Sequence, residues 1–293
     1  MANYHHVPVM LREVLDYLNI KEGGCYVDGT LGGGSYTRAI AEKAKLVLSI
    51  DLDPLAIDNF SKNKLKNVLL VNDNFSNLNN IVLEKKINDK FDGIVVDLGL
   101  SSAQLDDDER GFSFNKDKSL DMSFGNNFGD TYQIVNGYSQ DSLTEIIKEY
   151  GQEPWAKKIA ENITSVRRKN KISTAQQLAE IVSYSIPRKF WPRRIHPATK
   201  TFQAFRMETN KELDNLKDFL PTAVSLLKKG GRLVIVSFHS LEDRIAKILF
   251  KGLSRQENPS VKILTAKPIK PQEDEILENQ RSRSAKLRAV EKI

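Results

Sequence analysis

The sequence predicts an α/β fold: a doubly wound parallel sheet with an all-helical domain inserted between its fourth and fifth strands. Three observations carry this. Over residues 24–98, short apolar runs alternate with helix-like stretches, which is the pattern of a parallel sheet. The apolar runs end in polar residues: Asp28, Asp51, Asp73 with Phe75, and Asp97. The alternation then stops after Ser102 and resumes at Arg232.

The elements follow in order. Val14, Leu15 and Leu18 stand at helical spacing behind Pro8, so residues 7–18 hold an amphipathic helix. Cys25 to Asp28 forms the first strand. Gly29 and the cluster Gly32 to Gly34 make a tight turn, and a helix starts at Ser35 and runs to about Lys43. Glycines let the chain turn sharply and a ligand come close, and the helix start offers free N–H groups. Lys45 to Ile50 is the second strand. It ends in Asp51-Leu-Asp-Pro54, where Asp53 suits an N-cap and Pro54 the first helical position. A helix to about Lys64, a third strand over Val68 to Val71, a helix over Leu78 to Lys86 and a fourth strand over Phe91 to Leu98 complete the first half.

Leu143, Ile146, Ile147, Ile159, Ile163, Leu178, Ile181 and Val182 continue with helical spacing. Residues 105–205 are therefore expected to form the insert, and residues 1–104 with 206–293 the sheet domain. Between Trp155 and Arg206 stand twelve Lys or Arg residues and two acids. Beyond the insert, Glu212 to Lys229 reads as a helix kinked at Pro221 and ended by Gly230-Gly231. Arg232 to Val236 is a fifth strand, Leu241 to Phe250 a helix, and Val261 to Thr265 and Lys286 to Val290 two last strands. Residues 266–280, with Pro268, Pro271 and an acidic run, read as a loop.

Composition narrows the function. No apolar run approaches the ~20 residues of a membrane span, and Met1 to Leu11 lack the apolar stretch of a secretion signal. A cytoplasmic protein without membrane contact is expected. One cysteine, Cys25, excludes an intrachain disulfide and a cysteine-rich zinc site, and the four histidines are scattered; no metal is expected. The net charge of +6 hints at a polyanionic partner.

Ligands of such sheets bind beyond the carboxyl ends of the strands. A dinucleotide site rests a pyrophosphate on the helix start, and Asp28 beside it would repel that group. An acid suits a ligand with a cationic or amine end, as in S-adenosylmethionine, so Asp28 with Gly32 and Gly34 is a candidate site for it, and an ordinary capped turn is the competing reading. Asp51 is placed to accept both ribose hydroxyls of an adenosine. Phe75 either flanks the adenine or fills the core. Asp97 ends the apolar run Ile94-Val-Val96, where a charge must be paired or liganded. Methylation at cytosine C5 would need a cysteine nucleophile, and Cys25 lies within the first strand. An exocyclic nitrogen, an oxygen or a small-molecule amine remains as acceptor. In the insert, Phe190, Trp191, Phe202 and Phe205 stand among cations, a mixture that suits RNA and also describes a solvated helix face over a core.

Seven segments carry a resemblance: His6-Val-Pro-Val-Met-Leu-Arg-Glu-Val-Leu15, Asp28-Gly-Thr-Leu-Gly32, Asp97-Leu-Gly-Leu-Ser-Ser-Ala-Gln-Leu-Asp106, Arg110-Gly-Phe-Ser-Phe114, His196-Pro-Ala-Thr-Lys-Thr-Phe-Gln-Ala-Phe-Arg206, Ser237-Phe-His-Ser-Leu-Glu-Asp-Arg244 and Arg283-Ser-Ala-Lys-Leu-Arg288. End to end, the chain resembles the bacterial 16S ribosomal-RNA cytosine-N4 methyltransferases. The resemblance implies a Rossmann-like class I methyltransferase sheet and methyl transfer from S-adenosylmethionine to N4 of a cytosine in the decoding region of 16S rRNA, within the small ribosomal subunit. Carried over by position, the cofactor contacts would be Gly34, Ser35, Tyr36, Asp51, Phe75, Asp97 and Gln104. For catalysis, Asp97, or a backbone carbonyl in Leu98 to Ser101, is placed to accept an N4 hydrogen. Arg193, Arg194, His196, Lys200 and Arg206 would hold the substrate RNA. Where the family often has Gly-Gly-His, this chain has Gly34-Ser-Tyr36, so backbone contacts would survive there and an imidazole role would not. The Asp/Ser/Asn-Pro-Pro-aromatic motif of the wider amino-methyltransferases is replaced by Asp97-Leu-Gly-Leu100. A small-molecule methyltransferase and a non-catalytic RNA-binding factor on the same fold are the other function classes.

Overall fold

The structure is a computed structural model that describes residues 8–100, 112, 119–125 and 130–293. The chain divides into two compact units, Met1–Ser101 with Leu213–Ile293, and Ser102–Glu212.

The first unit is built on seven strands: β1 (Cys25–Asp28), β2 (Leu46–Asp51), β3 (Val68–Asn72), β4 (Phe91–Asp97), β5 (Leu227–Ser237), β6 (Val261–Ile263) and β7 (Lys286–Lys292). Their order in the sheet is β3-β2-β1-β4-β5-β7-β6. The first five run parallel, and β7 lies antiparallel between β5 and β6. The chain reverses its direction of winding between β1 and β4, which are neighbours, so the switch point where such sheets bind ligands lies at Asp28 and Asp97.

Burial on both faces explains why the strands read as continuous apolar runs. Val27, Leu48, Ile94 and Ile235 point to one face, under Leu78, Phe219 and Phe250 of three helices. Tyr26, Val47, Val95 and Val234 point to the other, under Val14, Ile40 and Phe60. Those three belong to the helices Leu11–Leu18, Ser35–Ala41 and Pro54–Ser61. Asp53 caps the last of these by accepting from the Leu55 N–H at 3.0 Å, with Pro54 in the first turn, as its residue types predict.

Two expectations are corrected. Gly230-Gly231 does not end a helix. The helix stops at Leu226, and β5 begins at once with Leu227 beside Phe91. The glycine pair lies where the β4–β5 register shifts, with Gly230 at a φ of 76°. Pairing with β4 overrides the helical pattern of Lys228 and Lys229. Residues 266–280 are not all loop, since Glu273–Glu278 is a helix. Its first turn holds Glu273, Asp274 and Glu275, and acids there are favoured by the helix dipole. Glu275 Oε1 accepts the Met10 N–H at 2.8 Å, tying this helix to the segment ahead of Leu11.

The second unit is helical over Asp130–Gly137, Gln140–Glu149, Ala156–Lys169, Ala175–Ser185 and Thr199–Asn210. Thr174 and Gln177 form a reciprocal capping box at one start. Leu143, Ile147, Ile159, Ile163, Leu178, Val182 and Phe205 are fully buried. The insert was expected to end at 205. Arg206 instead lies inside the helix Thr199–Asn210, and the unit runs to Glu212. The expected boundary at 104 lies outside the described residues.

Candidate active site

The tips of β1, β2 and β4 converge on the glycine turn. Gly34 sits at a φ of +77°, and a Cβ built there would lie 2.3 Å from the Phe60 ring. Backbone conformation and space thus both exclude a side chain. The Gly34 N–H closes the turn on Leu31 O at 2.6 Å, and Ser35 and Tyr36 follow as the first two residues of the helix, where backbone N–H groups have no intrahelical acceptor.

Asp51 joins this turn to β2. Its Oδ2 accepts the Gly32 N–H at 2.7 Å and its Oδ1 the Asp53 N–H at 2.8 Å. Burial pushes its carboxyl up to about 6, against the pull of those two N–H groups. Gly32 and Asp51 are therefore one unit of the site.

Asp28 is buried, at 0% exposure. Its Oδ1 accepts the Thr30 N–H at 3.2 Å and its Oδ2 the Thr37 hydroxyl at 2.7 Å. The Thr37 hydroxyl lies 2.7 Å from Ser49 Oγ in turn. With both oxygens engaged inside the protein, Asp28 anchors the turn. Burial raises it to about 6.

Asp97 is the exception among these acids. Its N–H donates to Thr30 Oγ1 at 2.7 Å, which fixes the strand end. Its Oδ2 lies 3.4 Å from the Tyr36 hydroxyl. Its Oδ1 is buried with no hydrogen-bond partner among the described residues. Burial first, and then the charge of Asp28, hold its pKa well above the ordinary carboxylate value, and the Tyr36 contact opposes them without offsetting them. A buried acceptor without a donor costs free energy until one arrives, so this oxygen is preorganised for an N–H-bearing ligand.

Tyr36 is buried and its hydroxyl donates to the Val9 carbonyl. Its side chain thus braces the turn against the segment ahead of Leu11. Phe75 starts the short turn after β3 and packs edge-on against Phe219, with centroids 5.0 Å apart at 78°. Its Cβ also lies 3.4 Å from where a Cβ on Gly29 would stand, so it fills core and borders the turn at once. Gln104 lies outside the described residues. The hydroxyls of Thr30, Thr37 and Ser49 were missed in the sequence. The signal for Ser49 was a polar residue inside an otherwise apolar strand, for Thr30 its place directly after Asp28-Gly29, and Thr37 on the helix Ser35–Ala41 had none.

The RNA candidates lie in the second unit. Arg193 and Arg194 are exposed. Lys200 Nζ donates to the Gln152 carbonyl at 3.2 Å. His196 Nδ1 accepts the Ala198 N–H at 3.2 Å, and burial lowers its pKa. The Arg206 guanidinium grips Glu212 with Nε–Oε1 at 2.7 Å and Nη2–Oε2 at 2.9 Å, and the side chains are 14% and 9% exposed. This fork is spent inside the fold. Arg206→Ala removes both of these charged hydrogen bonds from the Glu212 carboxylate, and we expect it to lower unfolding free energy by about 3 kcal/mol in urea denaturation. Phe202 and Phe205 are core residues, whereas Phe190 and Trp191 are exposed.

A parallel sheet with its seventh strand reversed, an acid at the β2 tip, a glycine turn at a helix start and, at the β4 tip, a buried acceptor with no partner among the described residues together define a class I S-adenosylmethionine-dependent methyltransferase. The chain matches the model of the MraW methylase family over residues 3–293 and belongs to that family. It is 46% identical over 312 aligned positions to the ribosomal RNA small subunit methyltransferase H of Clostridium botulinum strain Loch Maree, covering 99% of both chains. It is 44% identical over 313 positions to the protein of that name from Geotalea daltonii, with 100% of both covered. Among the described residues, no helix is long and apolar enough to cross a membrane.

Proposed function

We propose that this protein transfers the methyl group of S-adenosylmethionine to N4 of a cytosine in the decoding region of 16S rRNA, within the small ribosomal subunit and in the cytoplasm. The observation that carries the chemistry is the buried Oδ1 of Asp97, which has no hydrogen-bond partner among the described residues. The cofactor supplies a methyl group activated on a sulfonium. Asp51, positioned by the Gly32 N–H, would hold its ribose, the Gly34-Ser35-Tyr36 backbone its amino-acid end, and Phe75 its adenine.

The cytosine amino nitrogen is a weak nucleophile because its lone pair is delocalised into the ring. Holding it in line with the transferred methyl is worth several kcal/mol. Asp97 Oδ1 accepts an N4 hydrogen, so positive charge developing on N4 meets a carboxylate. A carboxyl whose pKa is already raised by burial is also suited to take the proton that N4 sheds. The target base must leave its stack to reach the strand ends.

Exposed cations of the helical unit hold the RNA backbone. Charge reversal at Arg193 and Arg194 is expected to weaken RNA binding and to reduce the slope of log affinity against log salt by about 2, with S-adenosylmethionine affinity unchanged. Salt titration of a filter-binding assay checks this. The decisive experiment is mass spectrometry of small-subunit RNA from cells with and without the protein. One methylated cytosine in the decoding region should disappear with it, and an unchanged pattern would sink the proposal.

A further inference from the structure

The turn that joins the helices Ala175–Ser185 and Thr199–Asn210 has an unusual surface. Every residue from Pro187 to Ile195 is exposed. The run reads Pro-Arg-Lys-Phe-Trp-Pro-Arg-Arg-Ile, and no acid occurs from Ile181 to Met207. Phe190 is 54% exposed and Trp191 36%.

The two rings are held in place. The Phe190 N–H donates to Pro187 O at 2.8 Å and the Trp191 N–H to Arg188 O at 3.1 Å. The indole Nε1 donates to Ile186 O at 2.8 Å. Trp155 lies against Phe190 with centroids 5.4 Å apart, and Pro187 and Pro192 restrict the backbone on either side. Cations flank both rings. Arg188 sits 5.7 Å from the Trp191 ring centroid and Lys189 Nζ 5.0 Å from that of Phe190. Rigid exposed aromatics lose little entropy when a partner covers them, and the local charge admits only a polyanion.

Resting on the reading that this protein acts on RNA, we propose that Phe190 and Trp191 form a stacking platform for unpaired bases, with Arg188, Lys189, Arg193 and Arg194 on the flanking phosphates. The helical unit then selects single-stranded over duplex RNA. Paired bases cannot offer their faces to a side chain, and stacking on an aromatic is tolerant of sequence.

The chain has two tryptophans, so Trp155→Phe leaves Trp191 as the sole indole and keeps a ring beside Phe190. Titration of that protein with a short unpaired oligocytidylate should quench its fluorescence saturably. An RNA hairpin, heparin and polyglutamate should quench far less. In the otherwise unaltered chain, Phe190→Leu with Trp191→Leu should lower oligocytidylate affinity about tenfold or more, with S-adenosylmethionine calorimetry unchanged. Equal quenching by heparin would reduce the patch to charge alone, equal binding of the hairpin would remove the single-strand preference, and quenching by polyglutamate would make it a protein-docking surface. Each of these overturns the platform, as does unchanged oligocytidylate affinity in the double variant. None touches the proposed function, which fails only if the unaltered protein does not methylate small-subunit RNA.

Discussion

Asp97→Asn is expected to reduce methylation by about a thousandfold without loss of the fold, since removing one well-placed electrostatic group from such a site costs about that much. The amide keeps the shape and the Thr30 contact of the backbone, but removes the charge that developing positive charge on N4 would meet. Single-turnover kinetics on small-subunit RNA checks it, and near-normal turnover would remove Asp97 from the chemistry. The pH dependence follows from the raised pKa. In the ligand-free protein, burial and Asp28 favour the neutral carboxyl. Ionising it therefore lowers stability as pH rises through its folded-state value, and the stability is present below the ordinary carboxylate pKa. Binding a cationic or N–H-donating ligand reverses the preference and releases a proton. Affinity for S-adenosylmethionine should thus rise with pH above the carboxylate range. Calorimetry in buffers of different ionisation enthalpy should show proton release that Asp97→Asn abolishes.

Gly34→Ala should lower stability by about 2–4 kcal/mol and remove detectable cofactor binding. Two effects combine. A left-handed backbone costs an alanine about 1 kcal/mol, and the new methyl would stand 2.3 Å from the Phe60 ring, which must move or force the turn open. Adding Phe60→Ala to that variant separates them. The clash is relieved and the backbone strain remains, so the coupling energy between the two sites should be clearly favourable. Additive effects would show that the turn tolerates the methyl without meeting Phe60.

The sheet was legible because its strands are buried on both faces and stop abruptly at polar residues. Asp51 and Asp97 could be placed at strand tips from the sequence alone. What the tips do was not legible. Asp28 and Asp97 look alike in sequence, each closing an apolar run. Only in three dimensions does Asp28 find Thr30 and Thr37 while one oxygen of Asp97 finds no partner among the described residues. Arg206 read as one cation among twelve, and its commitment to Glu212 depends on a turn at Lys211, with φ at 50°, that brings the acid back beside it. The Gly230-Gly231 bulge and the Glu273–Glu278 helix were misread for a common reason. Local residue preference favoured a helix end in one and a loop in the other, and long-range contacts with Phe91 and Met10 decided otherwise.

The strand order has a kinetic consequence. β4 and β5 are hydrogen-bonded neighbours, yet about 130 residues separate Asp97 from Leu227. β7 is made after β6 but lies between it and β5. A nascent chain can assemble β1 to β4 early, and must then hold an unpaired β4 edge while the helical unit emerges. Closing a loop of that length costs roughly 2 kcal/mol more than closing one of about ten residues, and contacts this distant in sequence slow folding. Acquisition of cofactor-binding competence in a stalled-translation series should therefore be late and abrupt, arriving with Lys286–Lys292 rather than with the residues that touch the ligand.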